Sequence, residues 1–371
     1  MAVRQLCEPG ALDTRRPLAG RAAVPERVMS VAATRDLRRV AVATSAPWFP
    51  GLGELLLLEP DTRADPLRLP LVRGAHGAVV RDLVLSPDGS MLTASLGGAE
   101  EQHIAGMVHW SLEGAPGELW RRRAGRPTVT ADGDARHVRL AVSADGSTVA
   151  GCDQNSHHVA AVRARSGAPL FDGESDAHRG GAVGGTGAVA VDADGSRLAF
   201  RLCRCHGGAP DGEIAVLGLR SGAFTTHTTG MGWCCGLAFS PDGTELAVVG
   251  ISDDGRGVAT VIDLTARPGD ARPWSVLGEL PWEARRQCAR PVWNEHGPRV
   301  AVRSGHTVTV WDLARERPLH AVDGMGRETA WNLTPDGGVL VTATPDGLRA
   351  HPLDTPATTA GASRGDAGHR P

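Results

Sequence analysis

The sequence predicts an all-β protein, a seven-bladed β-propeller of four-stranded blades whose ring is closed by an N-terminal strand. Three observations predict this fold. A strand–turn–strand phrase recurs seven times along the 371 residues. A further apolar segment with strand character follows each copy. Glycine (48 residues) and proline (25 residues) are frequent, as expected for many short strands joined by tight turns.

The clearest copy of the phrase is "LAFSPDGTELAVVG" at residues 237–250. Proline presets φ in the turn, and glycine accepts positive φ without steric cost. The flanking residues alternate with the two-residue period of a strand. The turn position carries an acid in six copies and a histidine in one: Asp36, Asp88, Asp145, Asp194, Asp242, His296 and Asp336.

The segments after each copy supply the remaining strands of a repeating unit. "VTVWDL" at residues 308–313 has the pattern of a third strand, and "ERPLHAVDG" at residues 316–324 that of a fourth. A unit of four short strands, repeating about every 50 residues, cannot bury its faces alone. Radial stacking of the units buries them, which predicts the ring.

The third and fourth segments of the sixth unit, with the dipeptide Trp311-Asp312, resemble those of a WD-repeat propeller blade. The "SPDG" turns resemble both WD-repeat and TolB-type propeller repeats. The resemblance covers about residues 14–354. It implies that the start of each first strand, the loop between the second and third strands and the mouth of the central channel all lie on one face of the ring. The Trp-Asp dipeptide occurs at its WD-repeat position in only one unit, so the structural His–Asp network of that family is not expected in this chain.

The pattern divides the chain into a short extension at residues 1–13, the propeller at residues 14–354 and a tail at residues 355–371 that we expect to be disordered. The seventh unit lacks a fourth strand. The segment from Arg15 to Gly20 resembles the fourth strand of the sixth unit, so we expect it to complete the last blade and leave no terminal edge unpaired.

Composition limits the classes of partner and compartment. The net charge of −3 gives no overall attraction to nucleic acid or to an anionic membrane. We see no signal peptide and no apolar run long enough to span a membrane, so we expect a cytoplasmic protein. Every basic residue is arginine, which we interpret as the signature of a GC-rich bacterial genome.

Cysteines cluster at one predicted face and raise the question of a metal site. Cys203, Cys205 and His206 follow a second strand, and Cys234 and Cys235 begin a first strand in the next unit. Thiolates and imidazole suit zinc or copper, although the spacing differs from that of structural zinc sites. Adjacent strand residues point to opposite sides, which argues against both Cys234 and Cys235 binding one ion. The alternatives are buried packing residues, which we favour, and a disulfide.

The same face offers candidate contacts for a protein or peptide: Trp48, Phe49, His103, His157, His158 and Trp233. Aromatic side chains in a proline-flanked loop make good anchors for a partner. No recognised catalytic, phosphate-binding or dinucleotide motif is present, so we expect no cofactor. The sequence therefore favours a protein-binding scaffold, with a metal-dependent enzyme or metal-binding protein at the channel mouth as the alternative.

Overall fold

A computed structural model describes the protein over most of the predicted propeller. The described residues are 27–45, 54–62, 65–69, 78–98, 106–123, 138–153, 158–174, 188–202, 212–252, 254–266, 275–279, 290–326, 329–345 and 347–353. They form 27 strands in seven antiparallel sheets. Among these residues there is no helix, and hence none that could cross a membrane.

The first four sheets each contain four strands in sequence order. The first blade contains β1 (Arg27–Ala33), β2 (Val40–Ser45), β3 (Leu55–Leu58) and β4 (Leu67–Leu69). The second contains β5 (Ala78–Leu85), β6 (Met91–Gly98), β7 (Gly106–Ser111) and β8 (Gly117–Arg123). The third contains β9 (Val138–Val142), β10 (Thr148–Asp153), β11 (His158–Arg163) and β12 (Pro169–Glu174). The fourth contains β13 (Val189–Val191), β14 (Arg197–Leu202), β15 (Glu213–Gly218) and β16 (Phe224–Thr228).

The remaining sheets follow the same order. The fifth blade contains β17 (Trp233–Phe239), β18 (Glu245–Ile251), β19 (Arg256–Asp263) and β20 (Ser275–Glu279). The sixth contains β21 (Pro291–Asn294), β22 (Gly297–Ser304), β23 (Thr307–Asp312) and β24 (Arg317–Val322). The described part of the seventh contains β25 (Ala330–Leu333), β26 (Val339–Thr344) and β27 (Gly347–Pro352). The prediction of a seven-bladed β-propeller is confirmed.

The antiparallel order gives the ring two distinct faces. Arg27 at the start of β1 pairs with Ser45 at the end of β2, and Leu55 at the start of β3 pairs with Ala43. The first and third strands of a blade therefore begin on the side where the second strand ends. We call this side the entry face, and we call the opposite side, which carries the connections from first to second strand, the turn face.

The predicted turns lie between the first and second strands of all seven blades, and their side chains hold them together. In the fifth blade the Ser240 hydroxyl donates to Asp242 Oδ1 (2.6 Å) and the Thr244 amide donates to the same oxygen (3.0 Å). These hydrogen bonds, led by that from Ser240, lower the pKa of Asp242 to about 2. Gly243 has a φ of 71°, the left-handed conformation that glycine adopts without a Cβ clash.

Buried apolar clusters join neighbouring blades and close the ring. One cluster contains Val31 and Val40 of the first blade with Val341 and Leu348 of the seventh. The Asn332 amide donates to the carbonyl of Val31 (3.1 Å) across the same junction. The first and seventh blades therefore pack directly against each other. The predicted closing strand at residues 15–20 and the predicted boundaries at 13 and 354 lie outside the described residues and stay predictions.

Arginine side chains also fasten one blade to the next on the turn face. Arg39, Arg197 and Arg299 occupy equivalent positions, three residues after the turn acid or histidine. Each donates to the carbonyl of the turn glycine in the following blade: Arg39 to Gly89 (2.6 Å), Arg197 to Gly243 (2.7 Å) and Arg299 to Gly337 (2.7 Å). In these three of the seven blades, one place in the repeat therefore also provides a contact with the next blade.

Replacing Arg197 by methionine is expected to lower the free energy of unfolding by about 2 kcal/mol. Arg197 Nε pairs with the buried carboxylate of Asp192 (2.8 Å), and its guanidinium lies 5.2 Å from the centre of the Phe239 ring. Methionine keeps the apolar contact but leaves the carboxylate without its cation. Urea denaturation measures the change. The control is Arg220→Met at an exposed position of the same blade, and an equal effect of the two substitutions would contradict this role.

Candidate functional site

A cavity of about 320 Å³ occupies the centre of the ring, and residues from the first strands of all seven blades line it. Its lining extends to the turn residues Pro87, Ala144, Ala193, Pro241 and Pro335, so the turns form its rim. When the seven repeats are aligned on the turn position, the lining residues at the same distance from that position form one layer around the ring. The described part of the candidate site consists mainly of these layers, because most of the loops on the entry face lie outside the described residues.

One layer of the ring lies six residues before the turn position and is charged at three of its seven places. Its members are Ser30, Asp82, Arg139, Ala188, Gly236, Arg290 and Ala330. The two charged residues of this layer that line the cavity, Arg139 and Arg290, are both arginines. Asp82 belongs to the second blade and Arg290 to the sixth, yet their side chains form an ion pair across the centre of the ring.

The pair is held by further hydrogen bonds at both ends. Arg290 Nη1 donates to the carbonyl of Leu83 (3.3 Å). The Asp82 carboxylate accepts from the backbone amides of Leu83 (3.0 Å) and Leu140 (2.9 Å). Burial lowers the pKa of Arg290 to about 10, so the guanidinium keeps its charge at neutral pH. The Arg290 guanidinium therefore carries its charge beside the Asp82 carboxylate, in a cavity whose other lining residues are mainly apolar.

The next layer, four residues before the turn position, is small and apolar at six of its seven places. Its members are Ala32, Val84, Ala141, Ala190, Ala238, Val292 and Asn332. The amide of Asn332 is already engaged, since Nδ2 donates to Val31 and Oδ1 accepts from the amide of Leu333 (2.9 Å). This layer can contact an apolar group and offers it little hydrogen bonding.

The predicted contacts for a partner are only partly described. Trp48, Phe49, His103 and His157 lie outside the described residues. Trp233 begins β17 on the entry face. His158 begins β11, is only 12% exposed and places Nε2 2.7 Å from Asp172 Oδ1. Asp172 also pairs with Arg122 of the neighbouring blade, so His158 belongs to a contact between blades rather than to an open rim.

The predicted metal ligands are likewise divided. Cys203, Cys205 and His206 lie outside the described residues. Cys234 is buried in the cluster between the fourth and fifth blades. Cys235 is buried in the cluster between the fifth and sixth blades and also lines the central cavity. The two thiols thus lie on opposite sides of one sheet, and a single ion could bind only one of them. In the part of the chain that the structure describes, no three His, Cys, Asp or Glu side chains are grouped as metal ligands would be.

The charged layer of the cavity was missed by reasoning from single motifs. Asp82, Arg139 and Arg290 belong to no recognised motif. They can be recognised by aligning the repeats. At this one place three copies have a charged residue, whereas the other four have serine, alanine or glycine. A charged side chain at a position where its counterparts are small and buried indicates a special contact.

Comparisons with known proteins give the fold and no more. No family model matches the chain, and no curated protein matches it. Among solved structures it is similar to a chain of the "Crystal Structure of Mitotic Checkpoint Complex", at 16% sequence identity and a TM-score of 0.60, over 91% of this chain and 94% of that one. This likeness supports the propeller fold and tests neither the WD-repeat nor the TolB-type resemblance.

Proposed function

We propose that the chain is a scaffold that binds a protein or peptide partner on its entry face. The observation that carries the proposal is the contrast between the two faces. On the turn face the connection between first and second strands is short in every blade, from two residues between β21 and β22 to six between β1 and β2. On the entry face the connection between second and third strands varies widely, from Leu202–Glu213 in the fourth blade to Ser304–Thr307 in the sixth. Variable loops on a rigid frame are where binding specificity is usually built.

Several polar groups on the turn face already form hydrogen bonds within the fold. Asp242 accepts hydrogen bonds from its own turn, and the carbonyl of Gly243 accepts from the preceding blade. Equivalent contacts recur at Gly89 and Gly337. A partner on this face would compete with contacts that hold the blades together, which favours the entry face.

The similar solved structure is that of a complex, the Mitotic Checkpoint Complex. A propeller of this shape therefore takes part in a protein assembly, which supports a partner-binding role here. We propose Trp48, Phe49, His103, His157 and Trp233 as first contacts, since the strand ends that flank the first four lie on the entry face and Trp233 begins a strand there. His158 has a smaller role because its imidazole faces Asp172. The compartment we propose is the cytoplasm.

The double substitution Trp48→Ala/Phe49→Ala is expected to reduce partner recovery by about tenfold or more, because buried aromatic anchors carry much of the free energy of binding. The measurement is affinity capture from the native host with quantitative mass spectrometry. The matched control is Leu67→Ala, on the outer strand of the same blade, where the side chain is 41% exposed. Undiminished recovery of the same partners by the double variant would contradict the chosen surface.

The metal-dependent alternative stays a prediction. It rests on Cys203, Cys205 and His206, with Cys234 or Cys235 as a further ligand. Elemental analysis of anaerobically purified protein tests it directly. Near-stoichiometric zinc or copper that is lost in Cys203→Ser/Cys205→Ser would support the metal site, and its absence would leave the cysteines as packing residues.

A further inference from the structure

We propose that the central cavity is a binding site for a small neutral, largely apolar molecule, which enters from the turn face and lies against the side chains of the first strands. This site is separate from the entry-face loops of the proposed function and does not depend on them. The volume of the cavity, its apolar walls and the hydrogen bonds already made by its polar groups together select this class of ligand.

The volume and the walls of the cavity set the size and character of the molecule that fits. The volume of about 320 Å³ lies at the lower end of the range for small-molecule sites. Apolar cavities of about 150 Å³ bind benzene. The walls are formed mainly by alanine, valine, leucine and proline, with Phe239 adding an aromatic ring. A compact apolar body of one or two rings is the complement of such walls.

Backbone groups of the first strands would make the cavity polar if they were left without partners. Each first strand lies at the end of its sheet, so within the described residues one of its edges has no neighbouring strand. Side chains from other blades bond to these strands at four places: Asn332 to the carbonyl of Val31 (3.1 Å), Arg290 to that of Leu83 (3.3 Å), Trp293 to that of Ala238 (2.8 Å), and Asp82 to the amide of Leu140 (2.9 Å). These contacts leave fewer backbone groups for a polar ligand.

The polar side chains of the described lining are engaged as well. They are Arg139, Cys235, Ser240, Arg290, Trp293 and Asn332. The Ser240 hydroxyl donates within its own turn, the Arg290 guanidinium is paired with Asp82, and the Asn332 amide is bonded on both sides. Arg139 and Cys235 have interaction partners of their own. A charged ligand would therefore be buried without a counter-ion at a large cost in free energy, whereas a neutral apolar one needs no polar partner.

Water is the competing occupant of this space. A buried water is held by two to four hydrogen bonds to polar groups that would otherwise be unsatisfied. The polar side chains of the described lining already have partners, so they hold water weakly. An apolar group that displaces poorly ordered water gains affinity.

The chemical class of the ligand is tested with toluene as the probe, and with benzoate and benzylamine as its anionic and cationic counterparts of similar shape. Binding to the unaltered protein is measured by isothermal titration calorimetry at neutral pH. We expect toluene to bind with a dissociation constant of about 1 mM or below. Both charged probes should bind at least about tenfold more weakly, because neither finds a counter-ion in the cavity.

The location of the site is tested by filling part of the cavity. Ala141→Leu enlarges a half-buried side chain of the cavity wall and should weaken toluene binding by about tenfold or more. The matched control is Ala321→Leu, the same substitution at an exposed position on the outer strand of the sixth blade, which should leave the affinity unchanged. Ala238→Leu, on another wall of the cavity, gives the same test where Ala141→Leu fails to fold.

Two results would overturn the proposal. One is the absence of toluene binding up to its solubility limit, or binding of benzoate or benzylamine as tight as that of toluene. The other is an unchanged affinity for toluene in a folded cavity-filling variant, which would place the bound toluene outside the central cavity.

Discussion

Replacing Arg290 by methionine is expected to lower the free energy of unfolding by about 3–5 kcal/mol. The substitution removes the cation that faces Asp82, whose side chain is only 7% exposed. The carboxylate would then be left buried with two backbone amides as its partners. Because the pair joins the second blade to the sixth, the loss is also expected to make unfolding less cooperative. Urea denaturation followed by far-UV circular dichroism measures both effects.

Two further variants isolate the role of the ion pair. Asp82→Asn/Arg290→Met removes both charges and keeps an acceptor oxygen for one of the two amides, that of Leu83 or that of Leu140, so it should recover part of the lost stability. Arg317→Met changes an exposed arginine of the same blade and should change the free energy of unfolding by less than about 0.5 kcal/mol. A loss below about 1 kcal/mol in Arg290→Met would show that the pair does not hold the ring across its centre.

Lowering the pH from 7 to 4 is expected to remove about 3 kcal/mol of stability through His109 alone. The ring is stacked on Trp120 at 4.9 Å, with Nδ1 2.7 Å from the Thr93 hydroxyl. Burial lowers the pKa of His109 from 6.5 to about 4. The unfolded chain therefore binds a proton more readily than the folded one. The stabilisation is complete above pH 6.5 and is lost as the pH falls from 6.5 towards 4.

The comparison variant is His109→Gln, which retains a hydrogen-bonding group near Thr93 and does not titrate. Thermal or urea unfolding measured across this range should show a shallower pH dependence for the variant than for the unaltered protein. His227 and His351 also have pKa values that are lowered by burial. Both are present in the variant, so they contribute equally to the pH dependence of stability in the two proteins. Identical slopes in the two proteins would contradict the assignment to His109.

The blades and turns were predictable because their chemistry is local and repeated. A serine or threonine, an aspartate and a glycine within a few residues set the turns of the second, third, fifth and seventh blades, as Ser240, Asp242 and Gly243 do in the fifth. The opposite placement of Cys234 and Cys235 also followed from strand alternation alone. These features need no knowledge of which blade lies next to which.

The charged layer could not be predicted in the same way. Asp82 and Arg290 are 208 residues apart, and they meet only because the closed ring places the second and sixth blades across the channel. His158 shows the same limit on a smaller scale. The sequence predicts it at an open rim, whereas in the structure its Nε2 lies 2.7 Å from Oδ1 of Asp172, two residues from the end of the adjacent outer strand. Contacts of this kind depend on tertiary geometry and not on sequence spacing.

The measurement that tests the proposed binding face most directly is site-specific photo-crosslinking in the native host. A photoreactive phenylalanine analogue is placed at Trp48 or Phe49 on the proposed surface, and at Leu67 on an outer strand or Thr244 on the turn face as controls. The scaffold account predicts crosslinked adducts of defined mass from positions 48 or 49 and none from positions 67 and 244. Adducts from the outer strand or the turn face, with none from positions 48 and 49, would contradict it.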